Sequence, residues 1–194
     1  QRSVLHDVYA GDMENLRWTY QNVNLEDFGK AVEAMVKARV VYVIGLRSSY
    51  CLAFFLAFSL RFFLENVREV RPHICDLPEQ MVSIKDRDVA IAISFPRYTR
   101  ETVELAMKAK ERGAFVIALT DSPLSPLARC ADLSFFARCE LTSFVESFGA
   151  ALSLINALTT AVALAKNRAA LKRMDALERS FAEFRTFYSD SADG

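Results

Sequence analysis

The sequence predicts an α/β fold: a three-layer, doubly wound, five-stranded parallel sheet with helices on both sides. Three observations predict it. Short runs of β-branched and aliphatic residues recur along the chain. They carry almost no polar residues, as strands buried on both faces require. Stretches of about ten to fifteen residues with helical periodicity separate them, which is the pattern of βαβ units. Right-handed crossovers then place helices on both faces of the sheet.

The elements follow in order. Before residue 40 the chain reads as helical: Asn24 is placed to cap, Asp27 stands three residues later, and Phe28, Ala31, Val32, Met35 and Val36 recur at helical spacing. "VVYVI" (40–44) is a buried strand, and "YCLAFFLAFSLRFFL" (50–64) is a helix apolar nearly all round. "VREV" (67–70) is a short strand, and "DVAIAIS" (88–94) is the clearest buried one. "TRETVELAMKAKER" (99–112) is a helix with Thr99 as N-cap and Gly113 as its stop. "FVIALT" (115–120) is a strand, "SPLSPLARC" (122–130) a turn and a short proline-started helix, and "LSFFA" (133–137) the last strand. A long helix is expected from about Phe144, with Ser143 and Glu146 as a capping box. A final helix from about Arg168 puts Leu171, Met174, Leu177, Phe181 and Phe184 on one stripe. The whole chain, 1–194, reads as one domain: a helical segment (1–38), alternating strands and helices (40–137), and C-terminal helices (143–190).

Composition narrows the function. Lys plus Arg number 24 and Asp plus Glu number 24, so the chain lacks the basic excess of a nonspecific nucleic-acid binder. Any anion it holds is expected to be small. Cys51, Cys75, Cys130 and Cys139 form no C-x-x-C pair, and neither His6 nor His73 stands at a zinc spacing. No metal or cofactor is expected, and Cys51 reads as a buried free thiol. With no secretory signal, a reducing cytoplasm fits. Ser147 to Ala165 carries no charge and is long enough to span a bilayer. Its Ser153, Asn156, Thr159 and Thr160 favour a core or interface helix, and no membrane partner is expected. The chain begins at Gln1, and we read it as a piece of a longer product.

Ligands of open α/β sheets bind at the carboxyl ends of strands. Two loops there have the right composition. "GLRSS" follows the first strand and offers Arg47, Ser48 and Ser49 at a helix start. "SFPRYT" follows the third and offers Ser94, Phe95, Arg97, Tyr98 and Thr99, with Arg100 just beyond. Helix N-termini bind anions through unpaired amides and the dipole. Each loop alone is an ordinary set of caps; the pair, on neighbouring buried strands, points to a phosphate or carboxylate.

The two loops, with the downstream "VIALTDSPLSPLARCADLSFFA", resemble a sugar isomerase (SIS) domain, most closely the ligand-sensing domain of RpiR-type bacterial transcriptional regulators. Gly45-Leu46-Arg47-Ser48-Ser49 stands where the family has G-x-G-x-S. Ile93-Ser94-Phe95-Pro96-Arg97-Tyr98-Thr99 stands where it has a pattern like I-S-x-S-G-x-T. The likeness covers roughly residues 20 to 170. It implies a flavodoxin-like five-stranded sheet and a phosphorylated sugar or sugar acid as effector. It implies phosphate contacts at Ser49, Ser94 and Thr99, a homodimer or homotetramer, and a helix-turn-helix DNA-binding domain upstream. The departures are Arg47 for the second glycine, Pro96 for a serine and Arg97 for a glycine. Either the arginines bring guanidinium forks to a more acidic ligand, or Arg47 fills the pocket or pairs with a carboxylate.

Three function classes remain. An aldose-ketose isomerase needs a base beside the carbonyl. Glu146 and His73 are the candidates, but Glu146 is explained by its cap and His73 by the surface, while Glu79 and Glu101 read as helix-start acids. The sequence therefore favours a sensor over an enzyme. The third class is an oligomerisation module with a vestigial pocket, for which the apolar helices at 50–64 and 147–165 argue.

Overall fold

A computed structural model describes residues 2–71, 77–140 and 146–188. The chain runs α1 (Arg2–Asn22), α2 (Leu25–Lys37), β1 (Val41–Gly45), a 3-10 turn (Arg47–Ser49), α3 (Tyr50–Leu60), β2 (Val67–Glu69) and α4 (Leu77–Val82). It continues through β3 (Val89–Ile93), α5 (Arg100–Glu111), β4 (Phe115–Thr120), β5 (Leu133–Phe136), α6 (Gly149–Lys166) and α7 (Arg168–Glu183). The five strands are parallel in the order β2-β1-β3-β4-β5. Gly45 stands opposite Ile93, and Ile93 opposite Leu119, so β1, β3 and β4 end level with one another.

Strand side chains alternate between two cores. Val41, Val43, Ile91, Ile93, Ile117 and Leu119 pack beneath α2, α3 and α6. Tyr42, Ile44, Ala90, Ala92, Val116 and Ala118 pack beneath α4 and α5. The alanines on the second face meet Ala106 and Ala109 of α5, so that helix lies close to the sheet. Burial on both faces is why the strands carry no polar alternation.

The expected elements stand, with four differences. The N-terminal segment is two helices, separated where Asn24 Oδ1 accepts from the amides of Glu26 and Asp27 and starts α2. Helix α4, signalled in the sequence only by Glu79 as a helix-start acid, opens at Leu77 and carries Glu79 in its first turn. Residues 122–130 are consecutive turns, not a helix. Ser122 Oγ takes the Leu124 amide at 3.1 Å and Ser125 Oγ takes the Ala128 amide at 3.0 Å. Pro123 and Pro126 lack the amides a longer helical ladder would need. Finally, α6 begins at Gly149, so Glu146 stands before the helix rather than opening it. Ser143, the expected cap, lies outside the described residues; the hydroxyl that meets the first amide of α6 is Ser147, at 3.3 Å.

Helix α6 is long and apolar enough to cross a membrane by length and composition. In the fold it buries Ala150, Ala151, Leu154, Ile155, Leu158, Thr159 and Val162 against the core. Helix α7 forms as expected, but its stripe stays open: Leu171, Met174 and Phe184 are exposed. Its anchors are Arg173 Nε, which donates to the Arg61 carbonyl at 2.8 Å, and Phe181 against Phe62.

Candidate functional site

The strand order reverses at β1. Its chain leaves toward β2 through α3 on one face, while β3, its other neighbour, leads to α5 on the opposite face. The loops after β1 and β3 therefore diverge to opposite faces at the carboxyl edge, the place where open α/β sheets bind ligands. Both expected loops border it.

In the first loop Gly45 is required by close approach. A Cβ there would lie 2.8 Å from Ala53 Cβ and 3.0 Å from the Ser49 carbonyl oxygen. Arg47 has φ +56°, the left-handed conformation a glycine adopts most readily, and its side chain is exposed. Ser48 is exposed as well, and its carbonyl accepts the Cys51 thiol at 3.1 Å. Ser49 is only 3% exposed, and its hydroxyl caps no amide.

In the second loop Ser94 is 1% exposed and its Oγ accepts the Thr99 amide at 3.2 Å. Thr99 holds the N-cap position of α5, as expected, yet its hydroxyl makes no capping bond. That hydroxyl is unclaimed. Arg97 is exposed, and neither it nor Arg47 makes an ion pair with a described residue. Phe95 turns inward: its side chain is 4% exposed and its ring packs 5.5 Å from that of Phe148. Of Phe95, the backbone rather than the ring is left to that edge.

Tyr98 is tied down. Its hydroxyl donates to both carboxylate oxygens of Asp121, at 2.9 and 3.2 Å, and Thr120 Oγ1 donates to Asp121 Oδ1 at 3.1 Å. Burial and the Asp121 carboxylate push the phenol up to about 12, so it remains a donor at neutral pH. Asp121, just past β4, was not singled out in the sequence. The signal available was its place directly after a buried strand, level with the other two loops.

Glu69 was also missed. It ends β2, its side chain is 1% exposed, and its Oε2 lies 2.8 Å from Arg71 and 3.9 Å from Arg61. Tyr50, first residue of α3, bonds to it as well, and the Glu69 carboxylate raises the phenol of Tyr50. This network fixes the start of α3 at that edge. Glu146 lies near enough to Cys139 to act on its thiol, and His73 lies outside the described residues. Of these two alternative candidates for an isomerase base, the described structure places Glu146 alone.

The cysteines divide by environment. Cys51 is exposed. Burial, then the carboxylates of Asp121 and Glu146, push the Cys139 thiol up to about 11, and burial raises Cys130. The expectation of a buried thiol at Cys51 is therefore corrected: it lies on the outward side of α3, whose Leu52, Ala53 and Leu56 face the core. At pH 7.5 iodoacetamide should label Cys51 well before Cys130 or Cys139, because the thiolate is the nucleophile. Peptide mapping after timed quenching reads the order; equal rates at all three would refute the assignment.

In chemical terms, the two loops carry, among the described residues, two hydroxyls that make no capping bond (Ser49 and Thr99), two guanidiniums without an ion pair (Arg47 and Arg97) and the start of the twelve-residue helix α5. This is a set of donors for an anion. Asp121 and Glu69 stand at the margins as acceptors already engaged by neighbours.

Comparison with known proteins agrees with this fold. A family model described as the SIS domain matches residues 34–161. An uncharacterized HTH-type transcriptional regulator of Caldanaerobacter subterraneus is 32% identical over 158 residues, covering 81% of this chain and 55% of the relative. The solved sugar isomerase domain of an RpiR transcription factor from Sphaerobacter thermophilus superposes with a TM-score of 0.84 at 30% identity, covering 89% of this chain and 96% of that one. The Vibrio vulnificus NanR protein, solved in complex with ManNAc-6P, has a TM-score of 0.79 at 20% identity, covering 93% and 69%. The solved phosphoheptose isomerase GmhA of Neisseria gonorrhoeae shares the fold, with a TM-score of 0.68 at 18% identity, covering 83% of this chain and 97% of that one. The chain spans about half the length of the curated relatives it matches.

Proposed function

We propose that this chain, which belongs to the SIS domain family, is the effector-binding and oligomerisation part of a bacterial transcriptional regulator. Its ligand is a phosphorylated sugar or a related sugar acid, bound in the crevice between the loops after β1 and β3. The observation that carries the reading is the set of unclaimed donors at that crevice: Ser49, Thr99, Arg47 and Arg97 have no described partner there, while the surrounding acids are engaged. Ser94 shapes the loop and Ser48 lies at its outer rim. DNA contact belongs to a helix-turn-helix domain upstream, and the protein works in the cytoplasm.

The exposed aromatic row Phe54, Phe58 and the open α7 stripe support homo-oligomerisation. An aldose-ketose isomerase is the second reading, favoured only by the shared fold and by Glu146, which shares the surroundings of Cys139 with Asp121.

The test is a thermal-shift panel of sugar phosphates and sugar acids at millimolar concentration. A ligand at one hundred times its dissociation constant adds about 2.7 kcal/mol to stability. We expect a clear rise in Tm with one phosphorylated or acidic compound and none with its neutral parent. A flat response across the panel would overturn the anion-site reading. Turnover of the hit to its isomer would favour the enzyme.

A further inference from the structure

We propose that the loop after β3 is coupled to helix α1 through a short relay, Phe95–Phe148–Ser147–Asp12, so that occupancy of the crevice changes how firmly α1 is held. This rests on the sensing reading above and adds the route by which the site reports.

Each outer link is a side-chain contact in the structure, and the middle one is the peptide bond between Ser147 and Phe148. Phe95 lies within the loop that the Ser94–Thr99 bond shapes, and its buried ring packs on Phe148. A ring in a close-packed interior does not shift without its neighbour. Phe148 is the N-cap residue of α6. The residue before it, Ser147, donates its hydroxyl to Asp12 Oδ1 on α1 and accepts the Gly149 amide. Two side-chain contacts and the peptide bond between Ser147 and Phe148 thus join the loop after β3 to a helix that packs on α6.

Two further bonds fasten α1 to the same chain segment. Asn15 Nδ2 donates to the Glu140 carbonyl at 2.6 Å, and the Arg138 amide donates to Thr19 Oγ1 at 2.9 Å. Asp12, Asn15 and Thr19 are spaced three and four apart, so they share one face of the helix. Asn15 and Thr19 are buried, while Val4, Leu5, Tyr9, Met13 and Tyr20 on the same helix are exposed. Polar bonds to the β5–α6 connection therefore contribute much of what holds α1. An element held in this way belongs to the low end of local stability and responds to small changes at its anchor. The connection also nears the crevice a second time, since Asp121, which holds Tyr98, acts on Cys139 between Arg138 and Glu140.

Amide hydrogen exchange on the whole chain, without ligand, tests the relay. Ser94→Ala frees the Thr99 amide and loosens the loop. We expect exchange across residues 12–22 to speed up about tenfold, a change of the order of one lost hydrogen bond. Arg100→Gln breaks only the exposed Arg100–Glu104 pair beside the same loop and should leave α1 unchanged. Coupling is reciprocal, so Asp12→Ala, which removes the acceptor of the Ser147 hydroxyl at the half-exposed end of the relay, should speed exchange across residues 95–102. An unchanged α1 in Ser94→Ala, or an Asp12→Ala effect confined to α1, overturns the relay. Should Ser94→Ala fail to fold, the Asp12→Ala arm decides alone. The outcome is separable from the sensing reading: coupling without any ligand shift in the panel leaves the relay standing and the ligand reading failed, and the converse result does the opposite.

Discussion

Gly45→Val should cost about 3 kcal/mol of stability, at the upper end of what overpacking a closed site does, and should lower the urea midpoint accordingly. The reason is the joint between sheet and helix. Any Cβ at Gly45 meets Ala53 Cβ at 2.8 Å, Ser49 carbonyl oxygen at 3.0 Å and Ile93 Cβ at 3.5 Å. None of these is the flexible tip of a long side chain. Ala53 sits on α3, which lies against β1, and Ile93 stands in register on β3. Relief requires α3 to move away from the sheet, which also opens the packing of Leu52, Leu56 and Leu60. The same movement displaces Ser49, so any ligand binding falls with stability. Gly29 is the control, because nothing lies within 4 Å of where a Cβ would stand at that position on α2. There Gly29→Ala should be stabilising by about 0.5–1 kcal/mol through helix propensity. An unaffected Gly45→Val midpoint would mean that α3 is not seated as described.

The parallel sheet was legible in the sequence because burial on both faces writes itself as uninterrupted aliphatic runs. Strand β4 is the expected 115–120, and the others agree within a residue or two at their ends. What was not legible depends on contacts between distant residues. The break between α1 and α2 is set by Asn24 as a cap, which the sequence placed, but the docking of α1 depends on Arg138, Glu140 and Ser147. The turns at 122–130 follow from serine hydroxyls competing with the helix ladder, a contest that periodicity does not register. At the candidate site both loops were found from composition. The direction of each side chain was not: Phe95 faces the core, and Tyr98 is held by Asp121, a residue 23 positions away. Glu69 reads as one acid in a short strand until its Arg71 and Tyr50 partners are seen.

Arg47→Gly should separate stability from binding by moving them in opposite directions. At φ +56° an L-residue carries about 1–2 kcal/mol of backbone strain. Glycine removes that strain and gives back roughly 0.5–1 kcal/mol as unfolded-state entropy. The balance favours the variant slightly, so its Tm should be equal or higher. On the proposed reading, binding of an acidic ligand found in the panel should fall, because the Arg47 guanidinium, which makes no ion pair with a described residue, would supply charge-assisted bonds worth about 1.5–3 kcal/mol. That corresponds to roughly ten- to hundredfold in dissociation constant. Calorimetric titration beside the melting curve reads both effects on one sample. Arg47→Lys refines the result: it keeps the charge and the strained backbone but loses the planar fork, so intermediate affinity at unchanged stability marks bidentate contact. Tighter binding in Arg47→Gly would show instead that the arginine obstructs the crevice, and that the amides of a glycine-bearing loop are the better anion holder. On the proposed reading, Arg47 keeps its left-handed backbone because its exposed side chain, which makes no ion pair with a described residue, serves the ligand.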